Sequence, residues 1–301
     1  MNREKDTVYT SHRNSGWNRP KAAVRKKRRR RPFLVLTLLL LAAFSVVYGM
    51  ILFTPAAEPK KVSAIQSIKA PITKIISTHP DYNISVSIVD TKTNEAAHLG
   101  YGSTYTAAST TKLLTAALTM SEVEAGNLSL DDYINGSLVS WHLQQMINQS
   151  NNQSWKTLNQ NFGQEKVEAY AKQLELDTYN YTDNLISAKD MSKLLTKLYR
   201  AELVNKANTK LILGHMRQTN DDSFIPAIAE TTKIKVYHKY GWLESNIHDV
   251  AILESKDKAW VLAIYTNPKN NQQNATISRD IIHMVTELVT AKLTGQPGQQ
   301  L

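Results

Sequence analysis

"AASTTKLLTA", residues 107–116, sets a hydroxyl, Ser109, three residues ahead of an amine, Lys112, where an apolar helix begins. On a helix, residues i and i+3 share a face, so the two side chains are expected to be neighbours. Taken alone the pair decides nothing. Ser-x-x-Lys arises by chance roughly once per few hundred residues at average usage, and the chain holds a second instance, Ser255 to Lys258. The surroundings must separate the two.

Upstream, a helix is expected from about Ser63 to Ser77, with Ile65, Ile68, Ile72, Ile75 and Ile76 near helical spacing. "NISVSIVD" (83–90) alternates as a strand, with Ile84, Val86 and Ile88 on one face. "EAAHLGYG" (95–102) is its expected hairpin partner across Thr91–Asn94. From Ser109 to about Glu230 the signals are nearly all helical. The first helix carries Leu113, Leu114, Ala117, Leu118 and Met120 on so much of its surface that it should be buried and central, ending near Gly126. A later helix opens with Ser187 and Asp190 in capping-box spacing and continues as the stripe Met191, Leu194, Leu195, Leu198. After Thr231, "KIKVYHKYGW", "HDVAILES" and "KAWVLAIYTN" are strand-like, and "SRDIIHMVTELVTAKL" closes the chain as a helix. The expected fold class is α/β of the α+β kind, in which the two ends of the chain share an antiparallel sheet flanked by N- and C-terminal helices. The helical lobe, about 109–230, is inserted against it. Ser109 then sits where the chain passes from sheet to helices, and clefts between such lobes are common binding sites.

The charge of the molecule is concentrated at one end. Residues 1–32 contain twelve Lys or Arg and two Asp or Glu, which leaves 24 basic and 24 acidic groups in the remainder. Phe33 to Phe53 follow without one charge in 21 residues. At about 1.5 Å per residue that length crosses a hydrocarbon core of about 30 Å. "RKKRRRR" (25–31) lies immediately before it, so the positive-inside rule places the N-terminus in the cytoplasm and the body outside. A cleaved signal peptide is the competing reading. Its apolar region is usually about 7–15 residues, and both regions here are longer. An uncleaved anchor is therefore expected, with a basic cytoplasmic tail (1–32), a transmembrane helix (33–53), a linker (54–62) and one domain from 63 to 301. The tail can also meet anionic lipid headgroups; nucleic acid is not an expected partner.

The chain has no cysteine, which excludes disulfides and thiolate metal sites. Seven N-x-[ST] sequons scattered through the body fit a bacterial envelope without an outer membrane better than a eukaryotic secretory pathway. The eight histidines form no metal-binding spacing, and His238 is expected to be an ordinary sheet residue. No cofactor is expected, and the body is taken to be a monomer.

Three short segments give Ser109 its partners. "STTK" (109–112) is followed by "SNN" (150–152) in the helical lobe and by "KYG" (239–241) at the end of a strand. A serine hydroxyl is a poor nucleophile until a base takes its proton. A lysine, ordinarily near 10.4, becomes that base when burial and a second cation lower its pKa. Lys239 is the second cation, Ser109 the candidate nucleophile and Lys112 its activator. Nothing comparable follows Ser255.

In this order and on these elements, Ser-x-x-Lys, Ser-x-Asn and Lys-x-Gly resemble the penicillin-recognising serine hydrolases, and the class A β-lactamases and their relatives above all. The resemblance covers roughly residues 63–295. It implies that Ser150 relays a proton to the leaving amine and that Asn152 binds the substrate amide while fixing Lys112. It also implies that Lys239, with Tyr240 and Gly241 in the same motif, holds the substrate carboxylate, and that the backbone amides of Ser109 and Trp242 form the oxyanion hole. Such a hole contributes about 2.7–4 kcal/mol per donor. The implied ligands are β-lactams or peptidoglycan stem peptides ending in D-Ala-D-Ala.

Three departures qualify that expectation. Class A enzymes deacylate through a glutamate in a Glu-x-x-Leu-Asn loop, and "ELDTYNYTDNLI" (175–186) contains no such pattern, with Glu175 and Asp183 the nearby carboxylates of interest. Tyr240 stands where a small hydroxyl residue is usual, and Asn151 where an aspartate is common. Acylation machinery is expected and fast deacylation is not. The main expectation is a membrane-anchored extracellular serine hydrolase of β-lactamase or D,D-peptidase type. The alternative is a catalytically idle scaffold of the same fold at the cell wall.

Overall fold

The computed structural model describes residues 31–52, 62–270, 272 and 274–295. The tail up to Arg30 and residues 53–61 of the linker region lie outside them. The chain divides into two units, with the boundary between Lys60 and Lys61. The first contains helix α1 (Arg31–Leu52), whose stretch Phe33–Met50 has a mean hydropathy of 2.4 and is long and apolar enough to cross a membrane.

The second unit begins with α2 (Ala64–Ser77), where the Ser63 side chain accepts the Gln66 N–H and closes the N-terminus. Its isoleucines at 65, 68, 72 and 75 are all buried. At roughly 1.5–3 kcal/mol for each buried side chain, this face rather than helix propensity holds the element in place. Strands β1 (Tyr82–Asp90) and β2 (Ala96–Gly100) form the expected hairpin.

The helical lobe follows. It runs through β3 (Tyr105–Thr106), α3 (Lys112–Glu124), β4 (Tyr133–Ile134), β5 (Ser137–Leu138), α4 (Val139–Ile147), α5 (Asn152–Phe162), α6 (Gln164–Gln173), β6 (Leu185–Ile186), α7 (Ala188–Tyr199), α8 (Lys206–His215) and α9 (Ile225–Ala229). The chain then returns to the sheet as β7 (Lys235–Leu243), β8 (Asn246–Ser255) and β9 (Lys258–Pro268), and ends in α10 (Ala275–Thr294). The sheet order is β2-β1-β9-β8-β7, antiparallel at every contact, and β1 pairs with β9 from Tyr82↔Pro268 to Asp90↔Trp260. The two ends of the chain do share one sheet.

Both faces of that sheet are covered. Ile84, Val86 and Ile88 pack with Ile65, Ile72, Ile264 and Val285 under the terminal helices, while Val89, Val250 and Val261 pack with Leu114, Leu143 and Met191 of the lobe. Strand β1 is therefore buried on both sides although its sequence alternates; Ser85 and Ser87, at 5% and 1% exposure, are its polar half. They stay satisfied through bonds such as Ser87 Oγ to Ser192 Oγ, 2.6 Å.

Helix α3 is buried on all sides from Lys112 to Met120, as its sequence suggested, but it begins at Lys112 and not at Ser109. Residues 109–111 form tight turns in which the Lys112 N–H reaches the Ser109 carbonyl at 3.3 Å, which preserves the three-residue relation. The Ser187 box at α7 is half made: the Asp190 N–H bonds Ser187 Oγ, while the Asp190 carboxylate turns to Thr178. Ser255 and Lys258 face each other across the β8–β9 hairpin turn, far in role from the first pair.

Candidate active site

Ser109, Lys112, Ser150, Asn152 and Lys239 come together at the border of sheet and lobe. Lys112 Nζ lies 2.9 Å from Ser109 Oγ, 2.6 Å from the Ser150 carbonyl, 2.6 Å from Asn152 Oδ1 and 3.4 Å from Ser150 Oγ. Lys239 Nζ reaches Ser150 Oγ at 3.0 Å and the Tyr240 carbonyl at 3.1 Å. Both lysines are fully buried. Burial lowers Lys112 to about 7. Burial first, then the charge of Lys112, lowers Lys239 to about 7, with Asp249 and Asp221 opposing. The two amines share one hydroxyl, so they titrate as a pair.

The local backbone is held in unusual conformations to achieve this. Ala108, just before the nucleophile position, has φ 50°, and Ser150 has φ 55°, both in the left-handed region. Each costs about 1–2 kcal/mol for a residue with a Cβ. Asn184, itself at φ 49°, clamps the first turn: its Nδ2 donates to the Ala108 carbonyl at 2.9 Å, its Oδ1 accepts from Thr111 Oγ1 at 2.6 Å, and its carbonyl accepts the Ala107 N–H at 2.8 Å. Asn151 caps α5 by accepting the Ser154 N–H, which aims Asn152 at Lys112.

Strand β7 lies at the sheet edge against this turn. A Cβ on Gly241 would come within 2.9 Å of the Ala107 carbonyl and 3.1 Å of Thr110 Cγ2, so only glycine allows the approach. The His238 N–H bonds the Met216 carbonyl at 2.8 Å, outward from β8. In an unbroken antiparallel ladder alternate residues point the same way, so the N–H of Trp242 is also directed outward. The Ser109 N–H has no hydrogen-bond partner among the described residues.

Tyr240 stacks its ring on Phe224, with centroids 6.1 Å apart, and bonds Asn220 Oδ1 at 3.2 Å. Lys239 Nζ lies 4.2 Å from the centroid of the same ring. The Trp242 side chain borders a cleft of about 530 Å³ beside Ser109, with Trp155, Lys156, Asn159, Gln160 and Tyr181 among its walls. No carboxylate lines that cleft among the described residues. The Glu175 side chain is 71% exposed, 3.8 Å from Lys193, and Asp183 is exposed in the turn after Asn180.

His238 is more than a sheet residue. It is buried between two carboxylates, with Nδ1 3.0 Å from Asp249 Oδ1 and Nε2 2.9 Å from Asp222 Oδ1. Burial alone would lower its pKa; the charge of Asp249 and the bonds to Asp222 and Asp249 override it and raise it to about 9. Two carboxylates on one ring favour its protonated form, and the ring is adjacent in sequence to Lys239. Neither this ion cluster nor the Asn184 clamp has a sequence signal, because the partners lie 11, 16 and more than 70 residues away.

A family model described as the β-lactamase enzyme family matches residues 67–137 and 138–291, nearly the whole of the second unit, and the chain belongs to that family. It is a serine hydrolase of β-lactamase type. Among solved structures, PBP-A is similar with a TM-score of 0.70 at 16% identity, covering 79% of this chain and 98% of that one. A mutant of PBP-A, in acyl-enzyme complex with penicillin G, gives 0.69 at 16%, covering 76% and 97%. A β-lactamase from Desulfarculus baarsii gives 0.68 at 16%, covering 77% and 98%. No curated protein matches.

Proposed function

We propose that the chain is a membrane-anchored, extracellular enzyme that acylates Ser109 with β-lactams or D-Ala-D-Ala cell-wall peptides and releases the acyl group slowly. The observation that carries this reading is the setting of Lys112 Nζ. A neutral amine has two N–H bonds and one lone pair. The Ser150 carbonyl and Asn152 Oδ1, both at 2.6 Å, can only accept, so they take the two N–H bonds. The lone pair is left for Ser109 O–H at 2.9 Å.

The reaction follows from that geometry. Ser109 Oγ gives its proton to Lys112 and attacks the substrate carbonyl, and the oxyanion takes the N–H groups of Ser109 and Trp242. Collapse breaks the C–N bond. Ser150 gives its proton to the leaving nitrogen and recovers one from Lys112, which returns to the neutral amine. Lys239, held against Ser150, attracts the substrate carboxylate, and Asn152 Nδ2, which has no partner among the described residues, can meet the substrate amide. Tyr240 and Gly241 serve that site through the backbone. Release of the acyl group needs a base that also holds a water; Lys112 is engaged by Ser109, Ser150 and Asn152, and the cleft walls nearest Ser109 carry amides, a phenol and a lysine rather than a carboxylate that would hold one. A long-lived acyl-enzyme is the consequence, and penicillin G in the acylated PBP-A mutant is a ligand of the kind expected.

Placement rests on α1 and on the basic run before it. In this reading residues 1–32 stay in the cytoplasm against anionic lipid, 33–53 span the membrane and 63–301 work outside as a monomer. A tag at the N-terminus should resist protease added to intact protoplasts while the body is digested.

The deciding experiment is the intact mass of the full chain in detergent, wild type and Ser109→Ala, followed with excess benzylpenicillin. A persistent adduct on wild type alone supports the proposal. An adduct that forms and disappears with turnover would replace slow release by β-lactamase action. No adduct on either folded protein would favour the idle scaffold, the reading to which Tyr240 and the missing cleft carboxylate also lend weight.

A further inference from the structure

Away from the serine, a depression of about 450 Å³ opens between α7, α8 and β7. Five cations line it: Arg200, Lys206, Lys210, Arg217 and Lys235. No carboxylate lines it among the described residues. This is unexpected in a body whose basic and acidic groups otherwise balance, with 24 of each outside the first 32 residues.

Lys206, Lys210, Arg217 and Lys235 are exposed in it, and three features set its charge and shape. Two carboxylates stand at its edge: Glu202 lies 3.7 Å from Arg200 Nη1, and Glu254, the cross-strand partner of Lys235, accepts from the hydroxyls of Tyr237 at 3.3 Å and Tyr199 at 3.5 Å, which leaves Lys206, Lys210, Arg217 and Lys235 without an ion-pair partner among the described residues. Lys235 instead lies over the Tyr237 ring, 4.9 Å from its centroid. Arg200 is fixed: its Nε donates to the Thr91 carbonyl at 2.7 Å and its Nη2 to the same oxygen. Gly214 borders the depression within α8, at an ordinary φ and with nothing within 4 Å of where a Cβ would stand. Glycine costs a helix about 1 kcal/mol relative to alanine. Packing does not require it there, and its effect is to keep the depression open.

We infer that this depression is a second binding site, for a linear polyanion bearing phosphate groups. Lys206 and Lys210 stand one turn apart, about 6 Å along the helix, so neighbouring phosphates of one chain can be met in succession. Phosphate suits this donor set, because lysine offers a point charge and arginine a planar fork for its oxygens. The concavity suits a narrow chain and not the plane of a bilayer. The inference is independent of the chemistry at Ser109.

The test uses the full chain in detergent, inorganic polyphosphate of about ten units as the probe, and amide hydrogen exchange to locate binding, because the basic tail also attracts anions. Protection should appear in residues 206–215 and in β7. Lys206→Glu with Lys210→Glu should weaken that protection more than tenfold in probe concentration. Gly214→Leu, which alters no charge and removes a helix-weakening glycine, should do the same by filling the depression. Unchanged thermal unfolding of the variants shows that they are folded. Protection confined to the tail, variants within twofold of wild type, equal protection by poly-glutamate of the same charge, or protection by anionic vesicles alone would each overturn the assignment.

Discussion

Ser109 Oγ and Lys112 Nζ are 2.9 Å apart in a pocket where the lysine has no exposed surface. Burial brings the amine to about 7, so its basic form becomes available within the physiological range. The rate of acylation by benzylpenicillin should therefore fall about tenfold per unit of pH well below 7 and level off above it. Lys112→Arg cannot present a lone pair and should lower the rate by about 10²–10⁴, as for loss of a general base. A flat profile from pH 5 to 8 would remove Lys112 from the role of base.

Gly241 lets β7 approach the nucleophile turn. Gly241→Ala forces a Cβ to within 2.9 Å of the Ala107 carbonyl, a backbone atom that cannot swing aside. The two proposed oxyanion donors must then separate. Acylation should fall by about 10–100-fold, in the range for partial loss of one such donor, while urea titration shows a loss of about 1–3 kcal/mol, typical of overpacking. Full acylation with the same stability loss would place the oxyanion elsewhere.

Asn184 acts on the same turn from the other side. Asn184→Ala removes two side-chain bonds and sets a Cβ residue less suited to φ 49°. Asn184→Gly removes the same bonds but accepts that φ freely. If the bonds position Ser109, both variants should acylate at least tenfold more slowly. Conformational strain alone would let the glycine variant keep its rate.

The fold and the meeting of Ser109, Lys112, Ser150, Asn152 and Lys239 were legible because each rests on local information. Strand alternation, apolar helical faces and three short motifs in order carry them, and the long pairing of β1 with β9 follows once both ends are recognised as sheet. The exact start of α3 was not legible, since Ser109 to Thr111 keep a helix-like spacing in turns that a burial pattern cannot distinguish from helix. Tyr240 could be placed on a strand, but its contact with Phe224 depends on α9, whose position no periodicity encodes. His238 does lie on strand β7 as expected, but its ion-pair partners were not legible for the same reason. Its carboxylates come from β8 and from the segment before α9, and only the folded sheet brings them to one imidazole.

That imidazole supplies the last prediction, which concerns stability. Its pKa rises on folding from the ordinary 6.5 to about 9. A raised folded value means that the stabilisation is fully present below about 6.5 and is lost as pH rises through 9; the shift corresponds to about 3 kcal/mol. The lowered amines of Lys112 and Lys239 act in the opposite sense, favouring the folded state more as pH rises from 7 towards 10.5. A single stability curve would mix the two effects, so the informative quantity is the difference between wild type and His238→Gln. Glutamine is uncharged throughout and leaves Asp222 and Asp249 facing it without a cation. The wild-type advantage in urea titrations should be largest at pH 6 and shrink by about 3 kcal/mol by pH 9.5. An advantage independent of pH would mean that His238 is held neutral and contributes packing and hydrogen bonds without charge, with Nδ1–H on Asp249 and Nε2 accepting from Thr219 Oγ1 at 2.9 Å.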